Sequence, residues 1–156
     1  MKYPTISGIL CTYYGDDLEC LSRSLESIKG QTHVLNELVI VIDGPVSVEH
    51  KKALDHFELS LKELGVAVIT FSFAVNSGHG AARDKAVSLV TSDYVAIFDA
   101  DDISYRDRIK LLLDAALKTD ADVIGGNIRE VSGIDGATIG YRKVKVEHQD
   151  ILIDLE

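Results

Sequence analysis

The chain has 156 residues, 26% of them charged, and a formal net charge of −9. That length supports one domain with a real core, the composition is ordinary for a soluble globular protein, and the acidic balance argues against nucleic acid or an anionic membrane surface as the main partner. The two cysteines, Cys11 and Cys20, lack metal-ligand spacing and read as reduced, packed thiols of a cytosolic protein.

In chain order, "TISGILCTY" (5–13) is a short apolar run that reads as a strand. Leu18, Leu21, Leu25 and Ile28 then recur at helical spacing up to Gly30. "ELVIVID" (37–43) is β-branched and nearly continuous, as suits a strand buried on both faces, and Gly44-Pro45 breaks it. Ser47 is the expected N-cap of a second helix with the stripe Leu54, Phe57, Leu61 and Leu64, ended by Gly65. "VAVITFSF" (66–73) predicts a third strand, "NSGHG" (76–80) a turn, and Ala82, Ala86, Leu89 and Val90 a third helix. "YVAIFD" (94–99) predicts a fourth strand, Ile109, Leu112, Ala116 and Leu117 a fourth helix, and "ADVIGGNIREV" (121–131) another strand. "SGIDGATIGYRKVKV" (132–146) has turn residues flanked by alternating apolar ones and predicts a hairpin, and "HQDILIDLE" (148–156) a short final helix.

This alternation predicts an α/β fold, a mostly parallel sheet with helices on both faces and a C-terminal hairpin. A single domain over 1–156 is expected, its core over about 1–131 and the hairpin and short helix over 132–156. No signal peptide is visible, and no apolar stretch approaches the roughly 20 residues of a membrane span. In such sheets ligands bind beyond the carboxyl ends of the strands, where three polar features fall: "CTYYGDD", "DGP" and "DADD".

Asp99, Asp101 and Asp102 lie within four positions and repel one another unless a cation offsets them. A D-x-D at a strand end can hold Mg²⁺ or Mn²⁺ together with substrate phosphates. The same residues also suit a solvated acidic turn, with Asp102 or Ser104 as N-cap of the next helix. Asp43 could accept hydrogen bonds from a nucleobase or ribose, or simply start a turn. "NSGHGAARD" (76–84) places two glycines before a helix start and then Arg83, which suits an anion or a plain loop. Of Tyr13 and Tyr14, one could stack on a base; otherwise one is core and one surface. The five histidines show no ligand spacing, and only His79 falls near the three polar features.

The order of these segments is more specific than any one of them. A strand ending in Thr-Tyr-Tyr, then "SLESIKGQT", "VIVIDGP", "NSGHGAARDKAV" and "YVAIFDADDIS", resembles a family 2 glycosyltransferase of the GT-A fold over about residues 5–130. It is similar to bacterial members that build capsular or other surface polysaccharides. The resemblance implies a nucleotide-diphosphate sugar, a UDP-sugar by family preference, as donor, a saccharide or lipid-linked acceptor, and Mn²⁺ or Mg²⁺. It implies Cys11, Thr12 and Tyr13 beside the base, Asp43 hydrogen-bonded to it, and Arg83 near the diphosphate or sugar. Asp101 would ligate the metal, with Asp99 near the ribose or metal. Transfer would be metal-dependent and inverting, in the cytoplasm or at the inner face of the membrane.

Two features depart from the family pattern. The usual acidic pair after the second strand is here Ile42-Asp43. The family's catalytic base lies well downstream of the D-x-D, and Glu130, Asp135, Glu147, Asp150 and Asp154 sit in no recognisable base motif. The sequence therefore reads as the donor-binding portion of a longer enzyme, and a nucleotide- and metal-binding module without transfer activity is the alternative. A haloacid dehalogenase-type phosphohydrolase places its D-x-D after the first strand, not the fourth. A homodimer through an unpaired sheet edge is compatible with the pattern.

Overall fold

The computed structural model describes residues 4–119, 121–133 and 136–145. Asp135, Glu147, Asp150, Asp154 and the expected final helix lie outside them. The chain forms two compact units, residues 1–110 and 111–156.

The first unit is built on β1 (Ile6–Thr12), α1 (Leu18–Lys29), β2 (Glu37–Ile42), α2 (Val48–Glu63), β3 (Ala67–Ser72), α3 (His79–Ser88) and β4 (Tyr94–Asp99). The strands form one parallel sheet in the order β3-β2-β1-β4. Every residue of β2 is buried, as its unbroken apolar run implies. The apolar run of β4 reads as a buried strand, yet among the described residues β4 is an edge strand, and Val95 and Ile97 are 40% and 43% exposed.

Strand periodicity sorts the core onto two faces. Ile9, Val39 and Val41 pack with Ala82 and Ala86 of α3. On the other face α1 packs on β4, and α2 packs on α1 and β3. There Leu21, Leu25 and Ile28 of α1, and Leu54, Phe57 and Leu61 of α2, are buried. Leu64 is half exposed and caps the end of α2, so the predicted stripe is one residue shorter. The second helix starts at the predicted Ser47, and the first at Asp17, which the sequence reading did not single out. The Asp17 carboxylate accepts from the backbone N–H of Glu19 and Cys20, and the Ser47 hydroxyl from that of His50.

α4 (Arg108–Thr119) follows β4, with burial at Ile109, Leu113 and Ala116 rather than at Leu112 and Leu117. In the second unit the strand expected over 121–131 is only β5 (Ile128–Val131). It joins no parallel sheet but pairs antiparallel with β6 (Thr138–Arg142). The predicted hairpin is therefore real, but its first arm precedes residue 132. A Gly-Gly step at 125–126 interrupts the apolar run, and Arg142 pairs with Glu130 across the two strands at 2.6 Å. Among the described residues no helix is long and apolar enough to cross a membrane.

Candidate active site

The strand order reverses beside β1: β2 and β3 extend to one side and β4 lies on the other. Such a switch point opens a crevice beyond the carboxyl ends of the strands. A cleft of about 430 Å³ lies there, lined among others by Cys11, Tyr13, Asp43, His79, Asp99 and Asp101. The sequence-predicted residues converge on this one cleft, with Arg83 bonded to its wall through Asp99.

The register explains who meets whom. Cys11 is level with Val41 and Asp99, on the face covered by α3. Arg83 of α3 therefore reaches Asp99 and donates to its Oδ1 at 2.6 Å. Burial pushes the Cys11 thiol pKa up; the Arg83 charge lowers it in part, and Asp99 and Asp43 raise it further.

Thr12 points to the opposite face and is buried. Its hydroxyl lies 2.7 Å from Asp16 Oδ2 and 2.8 Å from His50 Nε2. A carboxylate only accepts, so the Thr12 proton goes to Asp16 and His50 donates from Nε2. Asp16 Oδ2 also accepts from the Tyr13 backbone N–H at 3.0 Å, fixing the turn after β1. Burial holds the His50 imidazole below its usual pKa, opposed by the Asp16 charge. Neither Tyr13 nor Tyr14 is core: both are exposed, with ring centroids 5.3 Å apart, edge to face.

Asp43 is buried at the end of β2. Its Oδ1 accepts from the Ser77 backbone N–H at 2.7 Å, and its Oδ2 from that of Gly78 at 2.9 Å. The carboxylate thus ties the turn before α3 to the sheet. Gly44 allows the close approach: its φ is +91°, and a Cβ there would lie 2.7 Å from the Asn76 nitrogen.

The acidic segment after β4 is built differently. Asp99 to Asp102 is closed by the Asp102 N–H donating to the Asp99 carbonyl at 3.3 Å. The next helix starts only at Arg108, so neither Asp102 nor Ser104 caps it. Asp101 is exposed and has no side-chain partner among the described residues. Two arginines offset the cluster: Arg83, and Arg108, which donates to the Ile97 carbonyl at 3.0 Å and stacks 5.0 Å from the Phe98 ring centre. Burial pulls the Arg108 pKa down, resisted by Asp99 and Asp102. Among the described residues no group of three or more His, Cys, Asp or Glu side chains could hold a metal alone. Asp101 and Oδ2 of Asp99 instead suit a cation that takes its remaining ligands from a bound phosphate and water.

Residues 7–150 match the family model "Glycosyl transferase family 2". The chain belongs to this family. Among curated relatives, it is 31% identical over 79% of its length to the glucosyl-dolichyl phosphate glucuronosyltransferase of Haloferax volcanii. It is 28% identical over 81% to the UDP-Gal:alpha-D-GlcNAc-diphosphoundecaprenol beta-1,3-galactosyltransferase of Escherichia coli. It spans only 38% and 45% of those two proteins. A mannosyltransferase of Pyrobaculum calidifontis, solved with GDP-Man and Mn²⁺, shares the fold with a TM-score of 0.61 at 22% identity; the match covers 83% of this chain and 36% of that one. The GT-A architecture expected from the resemblance is the one observed.

Proposed function

We propose that this family 2 glycosyltransferase chain binds a nucleotide-diphosphate sugar, with UDP as the nucleotide, and serves transfer of the sugar to a saccharide or lipid-linked acceptor. The observation that carries this reading is the convergence of Asp43, the β1 end and the Asp99–Asp101 pair on one cleft at the sheet's switch point. The printed activities of the relatives, one using UDP-Gal and one acting on a dolichyl phosphate-linked glucose, agree with it.

In this reading the base lies against Cys11, Thr12 and Tyr13. Asp43 accepts from the base through lone pairs that the Ser77 and Gly78 amides leave open. Asp99 lies near the ribose, and Arg83 holds it there while facing the diphosphate. Asp101, with Asp99, would hold Mn²⁺ or Mg²⁺. Such a cation, when bound, stabilises the negative charge that develops on the departing diphosphate. The acceptor hydroxyl attacks from the face opposite the diphosphate, which inverts the anomeric centre in one displacement.

The hydrogen bonds already made by Asp16, Asp43 and Asp99 suit positioning and donor-binding roles for these three carboxylates rather than that of the base that activates the acceptor. The test is calorimetric titration of UDP, GDP and ADP, each with and without Mn²⁺. Metal-enhanced binding of one diphosphate supports the reading and selects the base. Equal, metal-independent weak binding of all three refutes it.

A further inference from the structure

Residues 103–107 belong to no helix or strand, yet they carry the acidic segment into α4. Their fixation comes from the far half of α1. The Ser24 hydroxyl, buried in α1, donates to the Asp99 carbonyl at 2.8 Å. The Ser27 hydroxyl accepts from the Ser104 N–H at 3.0 Å. Gln31, one residue past the cap of α1, is 5% exposed. Its amide nitrogen donates to the Tyr105 carbonyl at 2.9 Å and to the Ser27 carbonyl at 3.0 Å, and its Oε1 accepts from the Ile109 N–H at 3.1 Å. Thr32 continues the line, its N–H donating to the Arg106 carbonyl at 2.9 Å.

Ser24 and Ser27 lie one turn apart on one face of α1, and Gln31, just past its cap, continues that line. Polar side chains at buried helix positions are costly unless every group is satisfied. Both amide protons of Gln31 are used. An apolar residue could fill that space but could not hold a backbone of alternating donors and acceptors.

We propose that Ser24, Ser27 and Gln31 are positioning residues: they hold the Asp99–Asp102 backbone so that mutually repelling carboxylates present a fixed pair of oxygens to a metal-bound diphosphate. This rests on the donor-site reading above, and it assigns the "SLESIKGQT" segment a role in metal-dependent binding rather than in folding alone.

The test uses the full chain, the variants Gln31→Ala and Ser24→Ala, and UDP titrated with and without Mn²⁺, alongside thermal melting. In Gln31→Ala, UDP affinity in Mn²⁺ is expected to fall about tenfold, as the loss of one to two net hydrogen bonds implies. Metal-free UDP affinity should stay within about twofold, because the Asp43 side of the cleft is untouched. Ser24→Ala should show the same pattern with about a threefold loss, and it carries the test if Gln31→Ala does not fold. Equal losses with and without Mn²⁺, tracking the melting temperature, would reduce the stripe to a folding element and overturn the proposal, as would unchanged affinities. A parent chain whose UDP binding gains nothing from Mn²⁺ would instead overturn the donor-site reading and this proposal with it.

Discussion

Two carboxylate-bearing loops lie on the same sheet edge, and they are held in opposite ways. After β2, the Asp43 side chain is buried and does the holding: its two oxygens gather the Ser77 and Gly78 amides. After β4, the backbone is held from outside by α1, while the Asp101 side chain stays exposed and, among the described residues, unpartnered. A carboxylate with both oxygens engaged by amides suits a fixed, metal-free contact. A carboxylate on a braced loop, with its lone pairs open, suits a cation that arrives with its ligand. One edge thereby presents two carboxylates that are held in different ways.

The contrast breaks most strongly at Asp43. Asp43→Ala should cost about 2–4 kcal/mol in denaturant unfolding, because two amides lose a charged acceptor, and it should also abolish nucleotide binding. A silent Asp43→Ala would mean the loop before α3 is held by something else. Gly44→Ala probes the same loop through the backbone and should cost about 1–3 kcal/mol, since φ is +91° and the added Cβ would meet the Asn76 nitrogen.

His50 gives the β1 side a pH dependence. Burial depresses its folded pKa below the ordinary value of 6.5, against the pull of Asp16. Between the two values the unfolded chain binds more protons, so stability is complete above about pH 6.5 and is lost as pH falls toward the folded pKa. Urea midpoints between pH 7.5 and 5 should drop for the parent chain and drop less for His50→Gln.

On the β4 side the expected effects on stability are small. Arg83→Gln removes a partly exposed ion pair and should change stability by less than about 1 kcal/mol. It should still raise the Cys11 thiol pKa further, because the Arg83 charge is the group that lowers it, and slow alkylation of Cys11 at neutral pH would show this. Asp101→Asn should leave the melting temperature unchanged while removing any metal-dependent nucleotide binding.

The sheet and the cleft were legible because their signals are local. A nearly continuous β-branched run marks β2, short apolar runs mark β1 and β4, and a carboxylate directly after such a run marks a carboxyl end. What could not be read depends on register and on contacts distant in sequence. The Arg83–Asp99 pair follows from Cys11 lying level with Asp99 across the sheet. His50 looked like one of five scattered histidines, yet the turn at Asp16 brings Thr12 to it, and the Ser47-x-x-His50 capping geometry was the only nearby hint. The contacts of Ser24, Ser27 and Gln31 with the chain after β4 were hidden because polar residues on a helix and at its exit usually face solvent. The strand at 121–131 was over-read because an apolar run does not say which partner it pairs with, and the glycines at 125 and 126 shorten it.

The central claim is that a metal-bound nucleoside diphosphate lies between Asp43 and Asp101 at the carboxyl edge of the sheet. Paramagnetic broadening of amide signals by Mn²⁺ in the UDP-saturated chain tests it most directly. Signals of Asp99 to Asp102 and of Gly78 should broaden, while those of Glu37 and Thr91 at the other end of the sheet stay sharp. Broadening confined to any other surface, or unchanged in Asp101→Ala, would contradict the account.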